Sequence, residues 1–137
     1  MGAALAGASR PARHVFDEVD QALGQHLFRL MREGPDEELK LTENAQPAIM
    51  AHSIAVLRAM GVQVADVASF VAGHSLGEYS ALCAAGSFDL ATTAKLLKLR
   101  GRAMQQAVPV GEGAMAALLG ADLALAQKIA EIGRAHV

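Results

Sequence analysis

Residues 67–85 read VASFVAGHSLGEYSALCAA, and this stretch decides the predicted fold. Its first six residues are a short apolar run with β-branched side chains, which is typical of a buried strand in a parallel sheet. A Gly-x-Ser-x-Gly pattern follows at residues 73–77, and an alanine-rich segment of helical character extends to about Ala85. The order strand, Gly-x-Ser-x-Gly and helix is that of a nucleophile elbow. We therefore expect an α/β fold built on a parallel sheet.

The elbow makes Ser75 the candidate nucleophile. A sharp turn strains the backbone of the serine, and the flanking glycines let strand and helix approach without Cβ clashes. Ser75 Oγ would then lie exposed above the sheet, and the backbone amide of Leu76 would point at the same spot. Such an amide can stabilise the oxyanion that forms when Ser75 attacks a carbonyl. An ordinary tight turn is the alternative interpretation of the pattern.

The other segments are predicted to be mainly helical. Apolar residues at helical spacing predict a helix from residue 11 to about residue 30, with Gly24 as a potential break. Further elements follow in order: an acidic helical turn at 35–39, a loop at 41–47, and helices at 47–60 and 90–104, the last capped by Asp89. A strand at 114–119 and a helix that is capped by Asp122 and ends at about residue 130 complete the prediction.

Gln46 is a second candidate residue. Pro47 suits the first position of a helix, which makes Gln46 its predicted N-cap. Glutamine is a poor N-cap, where serine, threonine, aspartate or asparagine is expected. A residue that departs from the N-cap preference at the start of a helix hints at a functional role. A solvated glutamine at the end of a loop is the alternative.

Helical geometry singles out Arg100. Its neighbours within about 40° on the helix surface are uncharged: Thr93, Leu96 and Met104. The other cations lie more than about 130° away, on a face that we expect to be in solvent: Lys95, Lys98 and Arg102. A buried arginine needs a partner because an unpaired buried charge is costly. A buried carboxylate, an escape of the side chain to solvent and a substrate carboxylate all remain open.

The remaining reactive side chains predict no metal or redox chemistry. The five histidines show no metal-ligand spacing. His74 is expected to be structural, because neighbours on a sharp elbow point apart and a general base needs hydrogen-bond geometry to Oγ. Cys83 is expected to be a small buried apolar residue.

The composition narrows the class of protein. The chain has 137 residues, of which 53% are hydrophobic and 19% charged, so we expect a packed core. A net charge of −2 without a Lys/Arg block argues against nucleic-acid binding. No apolar run reaches the roughly 18–20 residues of a membrane span. A single cysteine fits a reducing compartment such as the cytoplasm.

The elbow sequence at residues 73–82, GHSLGEYSAL, resembles the nucleophile segment of the malonyl-CoA:acyl-carrier-protein transacylase family of bacterial fatty acid synthesis. The similarity extends to LTENAQPA at 41–48, LRGRAM at 99–104 and GAMAA at 113–117, and covers nearly all of residues 2–131. The resemblance implies a partial hydrolase-like core and the start of a small ferredoxin-like subdomain. The corresponding division places an incomplete large subdomain at residues 1–112 and the beginning of the small one at 113–131.

The resemblance also implies roles and partners. Ser75 would carry the acyl group as an ester, Leu76 would supply an oxyanion amide, and Arg100 would bind the malonyl carboxylate. Gln46 matches the active-site glutamine of the family's Gln-Pro motif. Malonyl-CoA and acyl carrier protein would be the partners, with no metal and no cofactor.

Two departures from the family pattern lead us to expect an inactive fragment. The family's Gly-Gln-Gly-Ser-Gln loop precedes the matching residues, and its general-base histidine follows them; none of the five histidines here corresponds to it. Residues 132–137, IGRAHV, resemble the translation of a sequencing adapter, so we expect a non-native tail.

Three alternatives remain at this point. They are an acyltransferase domain cut from a polyketide or fatty acid synthase, a serine hydrolase or thioesterase, and a non-catalytic fragment. A neutral acyl substrate would give the Arg100 cation no partner, which argues against the hydrolase.

Overall fold

A computed structural model of the chain describes residues 1–108 and 118–134, and every regular element among them is an α-helix. The helices in chain order are α1 (Ala3–Ala8), α2 (Arg10–Leu23), α3 (Leu27–Glu33), α4 (Asp36–Lys40), α5 (Thr42–Met60), α6 (Val64–Val67), α7 (Gly77–Ala84), α8 (Leu90–Ala107) and α9 (Leu123–Arg134). None of these helices combines the length and apolar composition that crossing a bilayer requires.

The predicted parallel sheet is wrong for the described residues, none of which lies in a strand. Ala68 has extended dihedral angles (φ −143°, ψ 131°), yet no backbone hydrogen bond between described residues involves residues 69–73. Phe70 is 92% exposed, so this segment is not buried either. β-branched residues favour an extended backbone, but a strand also needs a neighbour that completes its hydrogen-bond ladder. Without sheets, the expected hydrolase-like core and ferredoxin-like subdomain are not seen here.

The strand predicted at residues 114–119 lies almost entirely outside the described residues. The helix expected after it is present as α9, and the Leu125 N–H donates to Asp122 Oδ1 at 2.8 Å. Asp89 caps α8 in the same way, accepting a hydrogen bond from the Thr92 N–H at 2.6 Å. Short polar side chains thus begin both helices, as predicted.

Helices α2, α5 and α8 pack together around the apolar core. Within the core, the rings of Phe16 and Phe28 stack with their centroids 4.3 Å apart. Gly24 ends α2 with a left-handed φ of 58°, so the long N-terminal helix breaks where expected. The largest fully buried side chains include Phe16, Val19, Leu27, Met50, Thr93 and Leu97. This core holds α5 and α8 beside each other, and both carry candidate site residues.

Helix α5 begins five residues earlier than predicted, at Thr42, so the expected loop at residues 41–47 is mostly helix. The N–H groups of Asn44 and Ala45 both donate to the Leu41 carbonyl at 2.8 Å. Pro47 lies inside the helix, where its missing N–H removes only the bond to the Glu43 carbonyl. Gln46 is therefore a residue of the helix and not its N-cap.

The crossing of α5 and α8 depends on Gly101. A Cβ built on Gly101 would lie 2.4 Å from Glu43 Cα and 2.6 Å from the Thr42 carbonyl oxygen. These are backbone atoms, which cannot rotate away as a side chain can. The absence of a side chain at Gly101 therefore sets how closely the two helices approach.

Gly101→Ala is expected to lower the free energy of unfolding by about 2 kcal/mol. Alanine gains about 1 kcal/mol in helix propensity, but overpacking costs about 1–3 kcal/mol, and the backbone contact places this site at or above the upper end. Urea denaturation followed by circular dichroism measures the difference. Gly7→Ala in α1 is the matched control, because nothing lies within 4 Å of its Cβ, and it should stabilise slightly. Equal effects of the two substitutions would contradict the close crossing.

Candidate active site

The Gly-x-Ser-x-Gly turn has the backbone geometry of a strained elbow. Ser75 has a φ of 56°, the one positive value among the described non-glycine residues. A Cβ on Gly73 would lie 1.9 Å from the carbonyl carbon of Gly77, so only glycine fits there. A Cβ on Gly77 would meet nothing within 4 Å, so the expected steric need for a second glycine is not found. The close approach therefore depends on Gly73 alone.

Three of the predicted site residues come together around one guanidinium group. Arg100 Nη1 donates a hydrogen bond to Gln46 Oε1 at 2.5 Å, and Arg100 Nη2 donates to Ser75 Oγ at 3.1 Å. Gln46 is only 4% exposed, Arg100 is half-buried and Ser75 is exposed. Helices α5 and α8 and the elbow thus each contribute one side chain to the cluster.

The positive charge of Arg100 has no negative partner among the described residues. Its two terminal nitrogens meet neutral oxygens, and its Cζ lies 5.9 Å from the ring centroid of Tyr79. The structural ion pair considered for Arg100 is therefore not present in this part of the chain. A guanidinium held by neutral groups keeps its charge available for an anion.

Two members of this cluster were not predicted to be site residues from the sequence. Gln46 Nε2 donates to Met104 Sδ at 3.3 Å, so the thioether fixes the orientation of the glutamine amide. Tyr79 contributes its ring from α7. Each lies four residues after a site residue, Met104 after Arg100 and Tyr79 after Ser75. That spacing of one helical turn is the signal that could have found them.

The Leu76 backbone amide is free at the elbow. The N–H groups of Gly77 and Glu78 donate to the carbonyls of His74 and Ser75, at 2.9 and 3.2 Å. The Leu76 N–H makes no hydrogen bond within the described residues. One backbone donor beside Ser75 thus remains available to a ligand.

The other reactive side chains lie outside the cluster. No described histidine makes a hydrogen bond to Ser75 Oγ, and His74 is exposed. Cys83 is half-buried, and burial raises the pKa of its thiol, which disfavours the nucleophilic thiolate. No group of three or more potential metal ligands occurs among residues 1–108 and 118–134.

The solvent face predicted for α8 is correct for Lys95 and Arg102 and wrong for Lys98. Lys95 is exposed, and the Arg102 side chain is 60% exposed. The Lys98 side chain is only 12% exposed, because α8 packs against the start of α5 on that side. Helical periodicity alone could not show which faces α5 covers.

A comparison with known protein families shows to which family the chain belongs. A family described as the acyl transferase domain matches residues 1–132. The chain belongs to this acyl transferase family. Among its relatives, malonyl CoA-acyl carrier protein transacylase of Escherichia coli (strain K12) is 46% identical over 125 residues, which cover 90% of the chain and 40% of that protein.

Solved structures of acyl transferases support the same relationship. The acyl-carrier-protein-S-malonyltransferase of Bartonella henselae has a TM-score of 0.87 and 56% identity, covering 96% of this chain and 43% of the other. A malonyl-transacylase in complex with its type II PKS acyl-carrier protein has a TM-score of 0.73 and 44% identity, covering 80% and 35%. This acyl transferase chain therefore spans about 40% of the length of the relatives it matches.

Proposed function

We propose that this chain carries the nucleophile of a transacylase that moves a malonyl group from coenzyme A to the phosphopantetheine thiol of acyl carrier protein. The observation that carries the proposal is the Arg100 guanidinium, 3.1 Å from Ser75 Oγ and without a carboxylate partner among the described residues. A malonyl thioester presents a carboxylate close to its reactive carbonyl, which matches this pairing of cation and hydroxyl. The names of the relatives agree with this substrate.

The chemistry requires two acyl transfers through an ester. Ser75 Oγ attacks the thioester carbonyl of malonyl-CoA and the C–S bond breaks; the proton of the Ser75 hydroxyl ends on the sulfur of coenzyme A, which leaves as the thiol. The carrier thiol then attacks the seryl ester, the ester C–O bond breaks, and the thiol proton ends on Ser75 Oγ. The free Leu76 amide would donate to the carbonyl oxygen as negative charge develops on it. No redox or metal step is needed, and the cytoplasm is the compartment that suits the reaction.

Arg100 would supply the specificity. A bidentate carboxylate would take the positions at the two terminal nitrogens that Gln46 Oε1 and Ser75 Oγ now occupy. A bidentate pair between a guanidinium and a carboxylate joins two opposite charges, which makes it stronger than hydrogen bonds from the guanidinium to neutral oxygens. An acetyl group offers no such gain. The exchange of neutral for charged acceptors thus favours malonyl over acetyl.

The alternative functions fit this geometry less well. A serine hydrolase or thioesterase acting on neutral acyl groups would have no use for the Arg100 cation. An acyltransferase domain of a larger synthase would use the same three side chains, so it differs in context and not in chemistry.

Arg100→Ala is expected to lower malonyl transfer by about tenfold to a hundredfold and to spare acetyl transfer, because only malonyl loses a charge-assisted contact. The assay uses a chimeric transacylase, in which the matched part of this chain replaces the corresponding 125-residue segment of the E. coli relative. The relative supplies the remaining residues.

Lys95→Ala is the matched control, since it removes an exposed cation from the same helix. It should leave both transfer rates unchanged. An equal loss of malonyl and acetyl transfer in Arg100→Ala would contradict the carboxylate role.

A further inference from the structure

Lys98 is a largely enclosed cation of α8, and three side-chain oxygens lie within 3.0 Å of its ammonium nitrogen. Its Nζ donates to Gln25 Oε1 at 2.9 Å and to Asn44 Oδ1 at 2.8 Å, and it lies 3.0 Å from Glu43 Oε2. Three acceptors match the three donors of an ammonium group. The Lys98 side chain is therefore fully engaged and only 12% exposed.

Lys98 and Arg100 make the same kind of contact between α8 and α5. Lys98 donates to the amide oxygen of Asn44, and Arg100 donates to the amide oxygen of Gln46. The two cations are two residues apart on α8, and the two amides are two residues apart on α5. Two hydrogen bonds on different faces of α8 thus connect the same two helices and restrict how they move relative to each other.

Asn44 is itself held in place by neighbours outside this pair. Its Nδ2 donates to the Glu38 carbonyl at 2.9 Å, and its Oδ1 also accepts from Gln25 Nε2 at 3.0 Å. Asn44 is 3% exposed. The first turn of α5 is thus anchored from α4, from the segment after α2 and from α8.

The charge of Lys98 is balanced by Glu43. The Glu43 carboxylate accepts from Arg102 Nε at 2.9 Å as well as pairing with Lys98. These donors lower the pKa of Glu43, so its carboxylate stays ionised near neutral pH. Lys98 is therefore a paired internal cation and not a free one awaiting a ligand.

We propose that Lys98 is a positioning residue, which fixes the first turn of α5 against α8 and thereby keeps Gln46 on Arg100 and the guanidinium beside Ser75. This inference rests on the proposed function of Arg100 as the carboxylate receptor. The Lys98 side chain makes no hydrogen bond to Ser75 or Arg100; its polar partners are Gln25, Glu43 and Asn44. Its effect on specificity would pass through Gln46, which orients the Arg100 guanidinium until a malonyl carboxylate takes over that contact.

The test uses the whole 137-residue chain and two readouts. One is the ratio of the affinities for malonyl-CoA and acetyl-CoA, and the other is the NMR signal of the Gln46 side-chain amide. Lys98→Met keeps the aliphatic stem and removes the charge. It is expected to lower the affinity ratio by about tenfold and to shift and broaden the Gln46 signal. Lys98→Arg should restore part of both.

Lys95→Met is the matched control, because it removes the same charge from an exposed position one turn away. It should change neither readout. Gln25→Met removes one acceptor of Lys98 and provides a milder variant if Lys98→Met does not fold; it should give smaller shifts in the same direction.

Two results would overturn the inference. Lys98→Met could leave the ratio and the Gln46 signal unchanged, or Lys95→Met could lower the ratio equally, which would indicate a general charge effect. A wild-type chain with no preference for malonyl-CoA would instead refute the proposed function of Arg100. The Gln46 signal would then decide on its own whether Lys98 positions that side chain.

Discussion

Ser75→Ala is expected to abolish the covalent malonyl intermediate in the chimeric transacylase and to reduce malonyl transfer by at least about 10⁴-fold. Alanine has no oxygen to attack the thioester, so the two-step route through an ester is closed. Intact-protein mass spectrometry after mixing with malonyl-CoA detects the ester, and transfer to the carrier thiol gives the rate.

Ser80→Ala is the matched control for Ser75→Ala. Ser80 lies on α7, the helix that follows the elbow, and its buried Oγ has no hydrogen-bond partner among the described residues. Removing it should leave both the ester and the rate in place. An ester that persists in Ser75→Ala would show that another residue carries the acyl group.

Gly73→Ala is expected to reduce malonyl transfer by about 100-fold or more. The added methyl would lie 1.9 Å from the carbonyl carbon of Gly77, so the elbow must open and Ser75 must move away from Arg100. Displacements of about 1 Å at a reacting group can cost about 100-fold in rate. Transfer in the chimeric transacylase measures the loss.

Gly77→Ala provides the comparison within the same motif. Its Cβ would meet nothing within 4 Å, and its φ lies outside the left-handed range. This substitution should retain most of the activity, although both glycines belong to the same sequence pattern. Equal losses at the two positions would contradict the one-sided packing of the elbow.

The local features of the site could be predicted from the sequence. The glycine spacing predicts the strained backbone of Ser75, and helical periodicity separates Arg100 from Lys95 and Arg102. Both signals depend on residues that are close along the chain. The helix N-caps Asp89 and Asp122 could likewise be predicted from residues that are close in the sequence.

The predictions that were wrong concern features that depend on residues distant in the sequence. A strand at residues 67–72 needs a paired neighbour, which the pattern of β-branched residues cannot specify. The enclosure of Lys98 depends on Gln25 and Asn44, which are 73 and 54 residues away in sequence. Helical periodicity predicts which residues share a face of one helix, but not which other parts of the chain cover that face.

Gln46 shows how a correct candidate can follow from a wrong argument. The N-cap interpretation assumed that Pro47 begins the helix, but α5 starts at Thr42 and tolerates the proline in its second turn. Gln46 stands out because its buried amide connects Arg100 and Met104. No local rule encodes that contact.

The most direct test of the account is a crystal structure of the chimeric transacylase carrying Ser75→Ala, in complex with malonyl-CoA. We predict that the two carboxylate oxygens accept hydrogen bonds from Arg100 Nη1 and Nη2, replacing the contact with Gln46 Oε1. The thioester carbonyl should lie over position 75 with its oxygen facing the Leu76 amide. A malonyl carboxylate bound away from Arg100, with the Gln46 contact intact, would contradict the central claim.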